Sequence, residues 1–297
     1  MYKKIMVPLD GSSMAEIVLP YTGEIASKFG AEIILVSVSE PTVAETDHLY
    51  RSYLERTREQ VQSQLEDWGP KEEVNVQSEV LSGRPASELL RYADENDVSL
   101  IIMASRGRSS PGPWLLGNIV AKVLRATSKP MLLIRDEAED ASIRQKSLIK
   151  RILLPLDGSM VGEQAIPHAE TLARVLSAEL VLFQAFEPVR PVAIEGGVAM
   201  SPTMIKEEEE AKKASAIAYL DSVGNVLREK GLRTSNIVVL GSPADKIIDY
   251  ADANAVDLIA MSTHGRSGIG RWVFGSVTDK VLHAGDTPVL VVPAAKT

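Results

Sequence analysis

A nine-residue segment occurs twice in this chain and limits what the chain can fold into. Residues 4–12 read KIMVPLDGS and residues 151–159 read RILLPLDGS, 147 positions apart. The same offset carries Pro20 onto Pro167, Ala26 onto Ala173 and Ala31 onto Ala178. Further along, Gly83 pairs with Gly241, Gly107 with Gly265 and Gly117 with Gly275, now 158 apart. The second copy is therefore 11 residues longer. The gain falls between Phe186 and Leu240, where Pro188, Pro191, Gly196, Gly197 and Pro202 mark a loop by composition. A repeat this long is a whole domain rather than a solenoid unit. We expect two domains, residues 1–138 and 148–297, with the charged stretch from Asp136 to Lys150 as the join.

Within each copy, short apolar runs alternate with helical periods. Ile5 to Pro8, Ile33 to Val38, Val74 to Val80, Leu100 to Ala104 and Met131 to Ile134 have strand length and composition. Val18, Thr22, Ile25 and Phe29 recur at three and four residues, as do Ile166, Ala169, Ala173 and Leu176, so one face of each helix should be buried. Ser13 and Glu16 have capping-box spacing and predict the first helix start. The acidic run Glu207 to Glu210 is expected to open a later helix whose apolar stripe is Ile217, Leu220, Val223 and Leu227. Strands alternating with helices, several strands being almost wholly apolar, imply an open parallel sheet in each copy with helices on both faces.

Composition narrows the partners. A net charge of −8 works against a phosphate backbone, because sequence-independent nucleic-acid affinity comes from Lys and Arg displacing counterions. With no cysteine there is neither a disulfide framework nor a thiolate site. The apolar stretch Ile5 to Leu9 is too short for a signal-peptide core, and no run of about 18 apolar residues exists to span a bilayer. We expect a cytoplasmic protein whose partner is neither nucleic acid nor membrane.

Open parallel sheets bind ligands outside the carboxyl ends of their strands, where the strand order reverses. Two loops per copy meet that rule. The first is Pro8-Leu9-Asp10-Gly11-Ser12, repeated as Pro155-Leu156-Asp157-Gly158-Ser159. Its aspartate can accept hydrogen bonds from a ribose, or it can shape the turn and cap the next helix. The second loop, Met261-Ser262-Thr263-His264-Gly265-Arg266-Ser267-Gly268, leads to Gly275-Ser276-Val277 and a helix. Glycines allow close backbone approach, and amides at a helix start attract phosphate oxygens. Ser276 with Asp279 also has N-cap spacing, so a merely well-capped helix is the other reading. In copy one the loop reads Ala104, Ser105, Arg106, Gly107 and then Gly117-Asn118, where Asn118 can cap the helix or donate to phosphate. Trp114 and Trp272 occupy matching places, which argues for shared packing. The histidines share no ligand spacing with acidic residues, so no metal site is expected.

Together these residues resemble the universal stress protein family, whose signature is Gly, two residues, Gly, nine residues, then Gly and Ser or Thr. The resemblance covers nearly the whole chain twice. It includes the Pro-Leu-Asp-Gly-Ser turn, Gly-x-Pro-Ala at Gly83 to Ala86 and Gly241 to Ala244, and the closing Pro130 to Ile134 and Pro288 to Val292 strands. Copy two matches at Gly265, Gly275 and Ser276, with Ser262 where the first glycine is expected. Copy one departs further, at Ala104 and Asn118. The resemblance implies two tandem five-stranded parallel sheets in the order 3-2-1-4-5, a Rossmann-like, adenine nucleotide alpha hydrolase-like fold. It also implies that the two halves pair through their last strands as an internal pseudo-dimer, and it leaves a homodimer of whole chains open.

For the ligand, the resemblance implies ATP, with AMP or ADP as its variants and Mg accompanying ATP. Gly265, Gly275, Ser276 and Val277 would contact phosphates, with His264, Arg266 and Gly268 in the same loop. Met261 and Ser262 would approach the ribose. Asp157, following Pro155, would reach sugar or base, and the main chain near Ala185 the adenine. The weaker counterpart comprises Pro8, Asp10, Val38, Ala104, Gly107, Gly117 and Asn118.

No Walker, nucleophile-elbow or zinc-protease motif is present. The leading expectation is a nucleotide-binding regulatory module of the stress response, with at most slow ATP hydrolysis. The alternatives are an interaction protein of the same fold that binds no nucleotide, and an adenylyl-transfer enzyme.

Overall fold

Each apolar run becomes a strand and each helical period a helix in a computed structural model of the chain. It describes residues 1–39, 47–68, 74–106, 116–135, 147–189, 201–265 and 274–294. The first repeat runs β1 (Lys4–Pro8), α1 (Ser13–Glu16), α2 (Leu19–Phe29), β2 (Glu32–Ser39), α3 (Asp47–Trp68) and β3 (Val76–Ser82). It continues with α4 (Pro85–Glu95), β4 (Leu100–Ala104), α5 (Asn118–Ala126) and β5 (Met131–Ile134). The second runs β6 (Arg151–Pro155), a 3-10 turn (Gly162–Ala165), α6 (Ile166–Leu176), β7 (Glu179–Phe186), α7 (Pro202–Glu229) and β8 (Thr234–Leu240). It ends with α8 (Pro243–Ala253), β9 (Leu258–Ser262), α9 (Ser276–Ala284) and β10 (Val289–Val292).

Each set of five strands is parallel and ordered 3-2-1-4-5, but the two sets form one ten-stranded sheet, because β5 pairs antiparallel with β10. Leu133 faces Val289 and Met131 faces Val291. All eight residues of these two strands are buried. An apolar edge of that kind needs a partner, and here each repeat supplies the other's. The alternating side chains of the sheet feed two apolar layers, each running through both repeats. Leu132, Ile134, Leu290 and Val292 join the layer under α2, α3, α6 and α7, while Met131, Leu133, Val289 and Val291 join that under α4, α5, α8 and α9.

Three further contacts fasten the repeats. Tyr2 OH lies 2.8 Å from His168 Nδ1, and burial lowers the His168 pKa. Glu24, buried on α2, accepts from the Leu148 amide with both oxygens at 3.1 Å. Burial pushes its pKa up to about 7 against the opposing pull of the Leu148 and Ile149 amides. Arg135, just past β5, donates through Nη2 to the carbonyls of Val281, at 3.0 Å, and Leu282 at the far end of α9.

Several local expectations need correcting. The first helix is capped by Ser12, not Ser13: its Oγ accepts from the Ala15 amide at 3.2 Å. Gly117 and Gly275 are the N-caps of α5 and α9, with no side-chain cap bond, so Asn118 and Ser276 sit one position inside their helices. α7 begins at Pro202, capped by Ser201, ahead of the acidic run. On that helix Ile217 is 41% exposed, while Ala216, Leu220 and Leu227 are buried.

The 11-residue gain is also a net figure. Tyr53 and Tyr219 are equivalent, since they bond Glu16 and Glu163 at the same 2.9 Å. Their spacing of 166 exceeds the 158 between β3 and β8, so the second repeat gains residues ahead of this tyrosine, partly as a longer first half of α7, and loses some between it and β8. Gly107, Arg266, Gly268, Trp114 and Trp272 lie outside the described residues.

Candidate functional site

The sheet parts where its strand order reverses. β6 and β9 pair only through Ile152 with Leu258 and Leu153 with Ile259, whereas β6 and β7 stay paired as far as Pro155 with Phe183. Pro155 has no N–H to continue a ladder, and the diverging carboxyl ends open a crevice. The resulting cleft is about 780 Å³, within the roughly 300–1,000 Å³ of small-molecule sites. It brings together Pro155, Asp157, Ala185, Met261, Ser262, His264, Gly265, Gly275, Ser276 and Val277.

Asp157 closes one side. Its Oδ1 accepts from the Ser159 amide at 3.0 Å and the Ser159 hydroxyl at 2.6 Å, and Ser159 Oγ then accepts from the Gly162 amide at 3.0 Å. The turn-shaping role weighed for this residue is thus real, and Asp157 also lines the cleft. Two glycines make room for it. A Cβ at Gly162 would come within 2.6 Å of Asp157 Oδ1, and a Cβ at Gly265 within 2.6 Å of Oδ2. The glycine after β9 is therefore needed for close approach to the carboxylate across the crevice.

The start of α9 lines the same cleft. No side chain caps its amides, and Ser276 is exposed. Unsatisfied amides and the helix dipole together make such an end favourable to anions. Buried Thr278 fixes this end by donating to the Ser262 carbonyl at 2.9 Å. The Gly275 amide donates to the Thr263 carbonyl at 3.0 Å, and the Ser262 hydroxyl donates to the His264 carbonyl. His264 Nδ1 lies 3.0 Å from Thr263 Oγ1, which also accepts from the Ala294 amide at 3.0 Å.

Sequence reading missed the remaining wall. Lys212, Ser215, Ala216 and Tyr219 on α7 line the cleft, with Pro243 and Ile247 from α8 and Gln184, Phe186 and Glu187 from β7 and its exit. The α7 residues recur at three and four positions, the signal of one helix face. That face was obscured by placing Ile217 on the buried stripe. Lys212 Nζ pairs with Glu208 at 3.1 Å, both side chains being partly exposed.

In the first repeat Asp10 repeats the turn, accepting from the Ser12 amide at 3.0 Å and hydroxyl at 2.6 Å. Pro8 ends β1, which parts from β4 after Met6 and Ile101. Val38 lies on β2, Ala104 ends β4, and the buried Gly117 donates to the Ser105 carbonyl at 2.9 Å. Asn118 follows, exposed at the start of α5. Among the described residues no group of three or more His, Asp or Glu could hold a metal ion, and no helix is long and apolar enough to cross a membrane.

This geometry has close relatives. The model of the Universal stress protein family matches residues 1–135 and 148–293. The chain belongs to the universal stress protein family. It is 26% identical to universal stress protein Slr1230 of Synechocystis sp. over 313 residues, covering 97% of this chain and 99% of that one. It is 32% identical to universal stress protein MJ0531 of Methanocaldococcus jannaschii over 154 residues, covering 51% of this chain and 86% of that one. A crystal structure of a universal stress protein from Archaeoglobus fulgidus superposes with a TM-score of 0.72 at 21% identity, covering 99% and 100% of the two chains, which shows the fold. Both repeats are thus universal stress protein units.

Proposed function

We propose that the second repeat binds ATP, and that occupancy of its cleft regulates how this universal stress protein meets its partners. One observation carries the reading: the Asp157 turn and a helix start with no side-chain cap line the same largely apolar cleft. Amides at Gly265, Ser276 and Val277 would receive the phosphates beside His264 and Gly275, whose own N–H is held by the Thr263 carbonyl. Met261 and Ser262 would lie along the ribose, Asp157 would accept from sugar or base, and the main chain at Ala185 would meet the adenine. AMP and ADP fit the same frame with fewer phosphate contacts. Mg would travel with the triphosphate. Because Arg135 of the first repeat holds the far end of α9, ordering of the near end is felt across the pseudo-dimer. Such an effect needs different affinity for two states of the protein. Hydrolysis, if measured, is expected to be slow.

The test is to denature the purified protein, identify released nucleotide by mass spectrometry and titrate ATP into the stripped protein, then repeat both with Gly275→Ala/Ser276→Ala. A Cβ at Gly275 meets nothing nearer than 3.6 Å, so the fold accommodates the change. About one nucleotide per chain, lost in the variant, supports the reading; equal binding by both proteins moves the site elsewhere. No binding by either favours an interaction protein without a nucleotide.

A further inference from the structure

The turn after β6 carries a glycine that its counterpart in the first repeat lacks. Asp157 and Asp10 hold the same serine contacts at 3.0 and 2.6 Å, yet residue 162 is glycine where residue 15 is alanine. Gly162 does not have a positive φ, so its backbone conformation does not require glycine. Space does. A Cβ there would lie 2.6 Å from Asp157 Oδ1 and 3.2 Å from Ser159 Oγ, the first of these being nearer than a Cβ packs against any non-bonded atom.

Ala15 does carry a Cβ, so the first repeat cannot hold residue 15 and the Asp10 carboxylate in the arrangement of Gly162 and Asp157. Its chain runs instead from the Ser12 cap straight into α1, with the Ala15 amide donating to Ser12 Oγ at 3.2 Å. In the second repeat the 3-10 turn begins only at Gly162 itself, whose amide donates to Ser159 Oγ at 3.0 Å. The Asp157 carboxylate is thereby seated between glycines of two loops, with Oδ1 against Gly162 and Oδ2 against Gly265. Both glycines and Asp157 line the cleft.

We infer that Gly162 is a positioning residue for Asp157: by withholding a Cβ it seats the carboxylate where it can accept from the hydroxyl or amine donors of a nucleoside, a seat that Ala15 denies to Asp10. The inference rests on the nucleotide reading above and adds to it the residue that decides which of two matching turns presents its carboxylate to a ligand. Hydrogen bonds weaken steeply once distance and angle leave their narrow range, so a displaced carboxylate loses the ligand without leaving the cleft.

The experiment is a double-mutant cycle on the full chain, read by calorimetric titration of ATP. Gly162→Ala and Asp157→Ala should each weaken ATP by about tenfold or more, and the double variant should bind within about twofold of Asp157→Ala, because the added methyl then has no carboxylate to displace. Losses that multiply overturn the inference, since Gly162 would then act on the ligand by itself; so does a Gly162→Ala protein that binds ATP within about twofold of the unaltered one. A second readout needs no ligand. In carbon-13-labelled protein the Asp157 carboxyl resonance, assigned by its loss in Asp157→Ala, should move in Gly162→Ala while that of Asp10 stays. An unmoved Asp157 resonance overturns the inference even where ATP binding falls. If the unaltered protein binds no ATP, the nucleotide reading fails, and the resonance still decides whether Gly162 seats Asp157.

Discussion

The two repeats share the same turn and diverge in what surrounds it. Asp10 and Asp157 each accept from a serine amide and hydroxyl two residues on, at equal distances, and Tyr53 and Tyr219 each tie the long helix to a glutamate in the following segment. Around this shared frame the second repeat has Gly162 where the first has Ala15, Ser262 for Ala104, Thr278 for Val120, Ser276 for Asn118 and Gln184 for Ser37. Ser262 and Thr278 put hydroxyls where the first repeat has alkyl side chains, Ser276 and Gln184 exchange one polar group for another, and the glycine clears space beside the carboxylate. The turn is therefore a requirement of the fold, and the ligand chemistry lies in its neighbours. The difference teaches that a duplicated frame stays intact while one copy of its site departs, because the frame residues bond to their own chain.

The first way to test this contrast is at the join between the copies, where Glu24 on α2 faces the Leu148 amide while Thr171, its counterpart on α6, donates to its own helix at Pro167. Desolvation raises the Glu24 pKa from 4.5 to about 7, so between those values the folded protein holds the proton more tightly than the unfolded chain. Its stabilising contribution is full below about pH 4.5 and is lost as pH rises through 7, on the order of 2–3 kcal/mol. Denaturant melts from pH 4.5 to 8 should therefore show a decline in the unaltered protein that Glu24→Gln flattens. Parallel profiles for the two proteins would remove Glu24 from the join.

Next in size is the pair Asp10→Ala and Asp157→Ala. Both delete the same turn contacts, so each should lower stability by about 1–2 kcal/mol. Only Asp157→Ala should also weaken ATP, by about tenfold or more in a titration. Equal losses of affinity from both would show two working sites and end the contrast.

The smallest effect concerns the tyrosines. Tyr53→Phe and Tyr219→Phe each remove one hydrogen bond to a glutamate, worth about 1 kcal/mol, and should shift thermal melting alike. Since Tyr219 lines the cleft, ATP affinity should drop two- to threefold in that variant and stay level in Tyr53→Phe. A larger drop would make the phenol a ligand contact in its own right.

Much of this was legible from residue order. The opening strands, the buried face at Val18, Thr22 and Ile25, and the meeting of the Pro-Leu-Asp-Gly-Ser turn with the glycine loop all follow from local periodicity and turn chemistry. The α7 face was harder. Ala216 is buried and Ile217 exposed, so hydrophobicity pointed one position away from the register that packing selected. The cap falls on Ser12 rather than the expected Ser13, and the Ser12 hydroxyl also donates to Asp10 Oδ1 at 2.6 Å.

Sequence alone determined the duplicated α/β units, the carboxyl-end position of the loops and the weaker signature of the first copy, because these depend on neighbours a few residues apart. Tertiary structure decided the single ten-stranded sheet, the Arg135 hold on α9 and the Gln184 side-chain oxygen left without a partner among the described residues. Those depend on which distant groups meet, and no local pattern encodes whether a buried polar atom finds a partner across the fold.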